Sequence, residues 1–208
     1  VTTLGRWLVF AIAIVSGLGL AVEIAHATIG VNEQVLVHLS LSFEGNVPTW
    51  FSSSLLLGCA IAAGAIAHEV PPGARWRRHW WGIAIVLGYV SMDEAAEIHE
   101  HLGGLIGTHG ILYFDWVIPA AGVLAILAVV YWPFMRALPR PTRNRLLLAA
   151  AIYIGGAAGM ELPLGWWAER HGSEGLGYAL IDWVEETMEM CGATIALLAL
   201  IAHRREKR

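Results

Sequence analysis

Apolar residues run along this chain in six stretches, at about 6–29, 49–69, 79–102, 113–135, 144–163 and 177–202. Each is long enough to cross about 30 Å of hydrocarbon at about 1.5 Å per residue. Pro71-Pro72-Gly73 and the prolines 139 and 141 mark two of the turns between them. The pattern predicts an all-α integral membrane protein, a six-helix bundle forming one transmembrane domain over residues 1–208. Two of the spans then depart from it. Ser91-Met-Asp-Glu-Ala-Ala-Glu-Ile-His-Glu-His101 fills the second half of the third stretch with ionisable groups, and Asp182-Trp-Val-Glu-Glu-Thr-Met-Glu189 does so in the sixth. Glu161 stands near the end of the fifth. An Asp or Glu near the middle of a membrane helix costs roughly 2.5–3.5 kcal/mol on insertion scales, so these groups need partners, protons or a bound cation.

Composition agrees with a membrane protein: 57% of the 208 residues are hydrophobic and 14% charged, which excludes an ordinary soluble domain. No nucleic-acid partner is expected; the expected partners are the lipid bilayer and either a second copy or the other subunits of a membrane complex. Cys59 and Cys191 both fall in apolar stretches, so they read as small packing hydrophobes rather than a disulfide. Arg6, the run from Trp7 to Val22 and Ala25-His-Ala27 together resemble a secretory signal; the segment is counted here as a retained membrane helix.

Charge sets the orientation. Twelve of the thirteen basic residues fall before the first stretch, between the second and third, between the fourth and fifth, or after the sixth, and Arg170 alone falls on the other side. By the positive-inside rule both termini are cytoplasmic, as an even number of spans requires, and the chain is a multi-pass protein of a bacterial inner membrane. Trp50, Trp80, Trp81, Trp116, Trp132, Trp166 and Trp167 lie near the ends, where indole rings anchor. Gly58 to Gly64 and Gly155-Gly-Ala-Ala-Gly159 offer small-residue faces for close helix approach. The loop at 30–48 carries Glu33, His38 and Glu44 without Lys or Arg and reads as a short outer cap.

With that orientation Glu23, Asp115, Glu161 and the acids of the third and sixth stretches all fall in the outer half. At about 100° per residue Asp93, Glu94, Glu97, Glu100 and His101 share an arc of about 120°, and Asp182, Glu185, Glu186 and Glu189 one of about 100°. His99 points elsewhere. Apart from Arg6 and Arg145 at the cytoplasmic edges, no Lys or Arg lies inside an apolar span, so the neutralising charge is His⁺, shared protons or metal. Glu and His three or four apart on facing helices build the carboxylate metal sites of helical bundles, and Glu23-x-x-His26 and Glu97-x-x-x-His101 have such spacing. The match to a di-iron bundle is partial, since only one Glu-x-x-His unit occurs. The expected ligands are Glu97, His101, Glu161, Glu186 and Glu189, holding one or two divalent or transition metal ions, with iron, manganese or zinc fitting best. Glu23, His26, Asp93, Glu94, His99, Glu100, Asp182 and Glu185 are alternates, or groups that hold histidine tautomers and share protons.

Two rivals stand beside the metal reading: proton or cation transport on the same carboxylates, and an accessory subunit whose acids are satisfied by hydrogen bonds. The apolar inner halves of the third, fifth and sixth stretches favour a site open to the outside over a through-pathway. A His-Glu-x-x-His zinc motif, a phosphate loop, a dinucleotide fingerprint and a nucleophile elbow are all missing. The lack of a membrane lysine excludes a retinal Schiff base, and the excess of carboxylate disfavours a bis-histidine haem.

At Ser91-x-Asp93-Glu94-x4-His99-Glu100, Gly155-Gly-Ala-Ala-Gly-Met-Glu161 and Glu185-Glu186-x-x-Glu189-Met-x-Gly192 the chain resembles an uncharacterised family of bacterial multi-pass membrane proteins. The resemblance implies that these motifs belong together, His99 included. An unwinding of the helix after Glu97, or a separate role for His99 at the surface, reconciles that with the helical phase.

Overall fold

In a computed structural model, described here for residues 3–99, 101, 103–104 and 106–207, the chain is all-helical, with no strand among the described residues. The elements are α1 (Thr3–Ile29), α2 (Glu33–Leu39), α3 (Val47–Glu69), α4 (Arg77–Ala96), α5 (Val117–Ala137), α6 (Arg140–Ile154), a π turn (Gly155–Met160), α7 (Glu161–His171) and α8 (Leu176–Glu206). Four helical segments are long and apolar enough to cross a membrane: Thr3–Ile29, Val47–Glu69, Val117–Ala137 and the continuous Arg140–His171. The remaining two long helices, α4 and α8, carry the acidic stretches.

Local sequence explains the boundaries. Asn46 accepts a hydrogen bond from the Thr49 N–H and Pro48 follows at the first turn, so α3 starts two residues before the hydrophobic run suggested. The loop at 30–48 contains α2, whose N-terminus Asn32 caps by accepting from the Gln34 N–H at 2.8 Å. The expectation that the third helix runs to 102 is corrected: α4 ends at Ala96, because Glu97 takes up the left-handed conformation (φ 54°, ψ 37°) that terminates helices. The fourth helix likewise starts at Val117 rather than 113. The fifth is longer than expected and contains the π turn, where Gly155, Gly156 and Gly159 tolerate wide backbone geometry.

α8 is the central element, packed on α1, α3, α6, α7 and the π turn. Two apolar cores flank it. At one end Cys59, Ala63, Ile66, Ala67, Trp80, Phe134, Leu138 and Leu200 pack together; further along, Ile12, Leu41, Leu55, Leu56, Met190 and Ala193 form the second. Around the first core lie the α3–α4 turn, the α5–α6 turn and the last turns of α8, where Arg204 pairs with Glu69 at 2.7 Å. The loops richest in arginine are therefore gathered at this end.

Gly192 lets α6 come closest to α8. A Cβ built there would stand 2.7 Å from the Tyr153 backbone nitrogen and 2.9 Å from the Ala149 carbonyl oxygen. Backbone cannot move aside as a flexible side chain can. Gly192→Ala is therefore expected to lower stability by about 1–3 kcal/mol, whereas Gly58→Ala, whose new methyl would meet only Leu197 at 3.6 Å, should be neutral. Thermal unfolding of the two variants in one detergent checks the contrast.

Candidate functional site

The polar groups at the end of the bundle away from the arginine-rich turns are brought together by three elements: the end of α4, the α6–π turn–α7 segment and the first half of α8. The left-handed turn at Glu97 reverses the chain, and His99 folds back onto α4. Asp93 then accepts two hydrogen bonds from the same residue, from the His99 backbone N–H at 3.0 Å and from ring Nδ1 at 2.9 Å. With Nδ1 committed to the carboxylate, Nε2 is the free ring nitrogen. The ring lies over Trp116, centroid to centroid 4.7 Å, and the Trp116 indole N–H donates to Glu161 Oε1 at 3.0 Å. A path of direct contacts thus runs from Asp93 through His99 and Trp116 to Glu161.

Glu161 owes its place to the π turn, which advances the helix less per residue than an α turn and rotates Glu161 back toward the face that carries Tyr153. Gly156 allows the turn to sit on α8, since a Cβ there would be 2.9 Å from the Glu185 carbonyl oxygen and 3.0 Å from Glu189 Cγ. Glu161 lies within electrostatic range of Glu185, as do Asp182, Glu189 and Glu44. Glu94 in turn interacts with Glu186 and Glu189, and Tyr153 is turned toward Glu189. Glu161, Glu185 and Glu189 are buried, and Glu94 and Glu186 are partly so. Oε2 of Glu185 has no hydrogen-bond partner among the described residues. The buried Ser52 hydroxyl lies beside Glu94 without reaching hydrogen-bond geometry. No Lys or Arg occurs in residues 79–135, 146–169 or 171–203, so no guanidinium or ammonium from these segments opposes the acids.

Of the expected ligands, Glu161, Glu186 and Glu189 belong to this region. Glu97 and His101 are placed differently from their helical phase, because the helix that defined that phase has already ended. Glu97 forms the turn itself, and the exposed His101 points Nδ1 at the Glu97 carbonyl at 2.7 Å. Glu100 lies outside the described residues. The Glu23-x-x-His26 pair is divided: Glu23 is buried and accepts from the Ser40 hydroxyl, while His26 is exposed and contacts the Val31 carbonyl. Asp93, Glu94, His99, Asp182 and Glu185 all take part in the contacts above. Tyr153, Trp116 and Glu44 were not singled out by the sequence as site residues; Trp116 read as an interface anchor and Glu44 as part of the cap loop, and nothing in the sequence drew attention to Tyr153. Among the described residues no group of three or more His, Cys, Asp or Glu side chains is arranged to hold a metal ion.

Beside the site, Asp115 organises the loop that carries Trp116. Its carboxylate accepts from the backbone N–H groups of Gly104 at 2.8 Å, Ile106 at 2.8 Å and Gly107 at 2.9 Å, with Gly104 and Gly107 at positive φ shaping the cradle. These donors hold the Asp115 carboxyl below the usual carboxylate range, the Ile106 N–H most strongly.

Two predictions follow from these positions. Because the folded-state value for Asp115 is lowered, its hold on the loop is complete above the ordinary aspartate range, about pH 4, and is lost as pH falls through the lowered value. Asp115→Asn should accordingly speed amide exchange at Ile106 and Gly107 on the order of tenfold at neutral pH, read by hydrogen-exchange mass spectrometry. At Glu97, where the backbone is left-handed, Glu97→Gly should raise stability by about 1 kcal/mol in a thermal unfolding measurement.

No curated protein and no solved structure matches this chain. Residues 7–204 match the model of a domain family of unknown function, DUF8692, and the chain belongs to that family.

Proposed function

We propose that this chain is an inner-membrane protein of six spans, with both termini cytoplasmic, that binds a divalent or transition metal ion through carboxylate and imidazole groups in its outer half. The six-span reading counts α4 and α8 with the four apolar segments. It is supported by the gathering of the arginine-rich turns at one end, opposite the acids. The observation that carries the binding reading is electrostatic: Glu161, Glu185 and Glu189 are buried near one another with Glu94 and Glu186 beside them, and Lys and Arg are missing from the segments that supply them. Acids so placed need a cation or protons to be stable.

The ligand set differs from the one the helical phase suggested. His99 replaces His101 as the imidazole, because a carboxylate on Nδ1 is the usual way of fixing a metal-binding histidine with Nε2 outward. Glu161, Glu185, Glu186 and Glu189 supply oxygen, and Asp93 orients the ring. One or two ions of iron, manganese or zinc suit such a donor set.

A second reading, in which shared protons rather than a metal neutralise the same acids and serve proton or cation movement, is favoured by the side-chain arrangement, since the described residues do not close around an ion as they stand. Elemental analysis separates the two. Protein purified without chelators should carry about one or two equivalents of one metal, lost in a Glu185→Gln, Glu189→Gln variant that still folds. Metal-free protein in both cases overturns the metal reading. Proton flux in proteoliposomes, abolished by Glu189→Gln, is then the expected result.

A further inference from the structure

The opposite end of the bundle presents a second, chemically different feature. Gly73, Ala74, Arg75, Arg77, Arg78 and Trp81 line an open cleft of about 400 Å³ at the turn between α3 and α4. Its three guanidinium groups form no ion pair among the described residues, and no acid lines the cleft. Two of them are held in place: Arg77 donates through Nε to the Ala67 carbonyl at 3.2 Å, and Arg75 lies over the Trp76 ring at 4.5 Å.

The charge also stands at an unfavourable place on the helix. The first turn of α4 is Arg77-Arg78-His79, with no acidic residue and no side-chain cap. The N-terminus of a helix already carries partial positive charge and prefers anions, so three basic residues there repel it unless an anion lies between them. A planar guanidinium fork matches phosphate oxygens in particular.

What leads away from the cleft selects the form of that phosphate. Trp81, Ile85, Tyr89 and Met92, spaced three or four apart, are all exposed, Ile85 at 69%. They form an apolar strip along α4 beginning at the arginines, as an acyl chain below a headgroup requires. We propose that this cleft is a binding site for the phosphate headgroup of an anionic phospholipid, whose acyl chain lies along the Trp81–Met92 strip.

Native mass spectrometry of the full chain with added phosphatidylglycerol tests the site, using an Arg75→Gln, Arg78→Gln variant and, as a control of equal charge change, Arg143→Gln, Arg145→Gln. Arg77 is left intact because it braces the end of α3, and unchanged thermal unfolding of both variants confirms the fold. The first variant should retain roughly 10- to 30-fold less phosphatidylglycerol, about the effect of removing two interfacial cations. The control should bind as the unmodified protein does, and millimolar inorganic phosphate should not displace the lipid. Equal losses in the two variants would reduce the effect to general surface charge and overturn the proposal. So would phosphatidylcholine binding equally well, and displacement by inorganic phosphate would replace the lipid by a free anion.

Discussion

The close approach of the α6–π turn segment to α8 is the constraint on which the rest of the acidic end depends. Gly192 and Gly156 stand on two facing elements, and at each the space for a Cβ is already taken by backbone. Any side chain at either place would push the two elements apart and carry Tyr153 and Glu161 away from Glu185 and Glu189. Small residues in membrane bundles are usually credited with packing alone. Here they also decide which polar groups meet.

That meeting is unusual in its charge balance. The ion pairs among the described residues lie at the surface, as with Arg204 and Glu69, or involve His99 and His109. The buried acids have hydroxyl, indole and imidazole neighbours instead, groups that accept or give a proton or orient a dipole without supplying a permanent positive charge. Apart from Arg170, the permanent positive charges beyond α1 gather at the far end of the bundle. Acid and base are thus largely separated along the bundle axis, with Arg204 and Glu69 as a pair inside the basic end.

Much of this could be read from the sequence. The apolar stretches marked the long helices, the small residues marked the close face, and the motif containing His99 left an interruption after Glu97 as one of two ways to reconcile it with helical phase. Helical phase failed where the backbone stopped being α-helical. A non-glycine residue in the left-handed region is rarely signalled by its neighbours, so Glu97 and His101 were given an inward direction that holds only if α4 continues. The π turn is equally hard to foresee, because Gly155-Gly-Ala-Ala-Gly159 suits an ordinary small-residue face as well as a widened turn. Trp116 was hidden for another reason: an amphipathic ring near an interface has a sufficient explanation before its polar atom is considered.

The sequence separation of the polar contacts has a consequence for assembly. Asp93 and His99 are six residues apart, and Asp115 reaches back no more than eleven to its backbone donors, so both contacts can close as soon as that part of the chain has emerged from the ribosome. Ser16 and Thr187, whose hydroxyl groups meet at 2.6 Å, are 171 residues apart, and Trp183 donates to the Ser16 carbonyl across nearly the same distance. The polar seat of α1 is therefore finished long after α1 itself is made, and until α8 arrives the hydroxyl of Ser16 waits without its native partner.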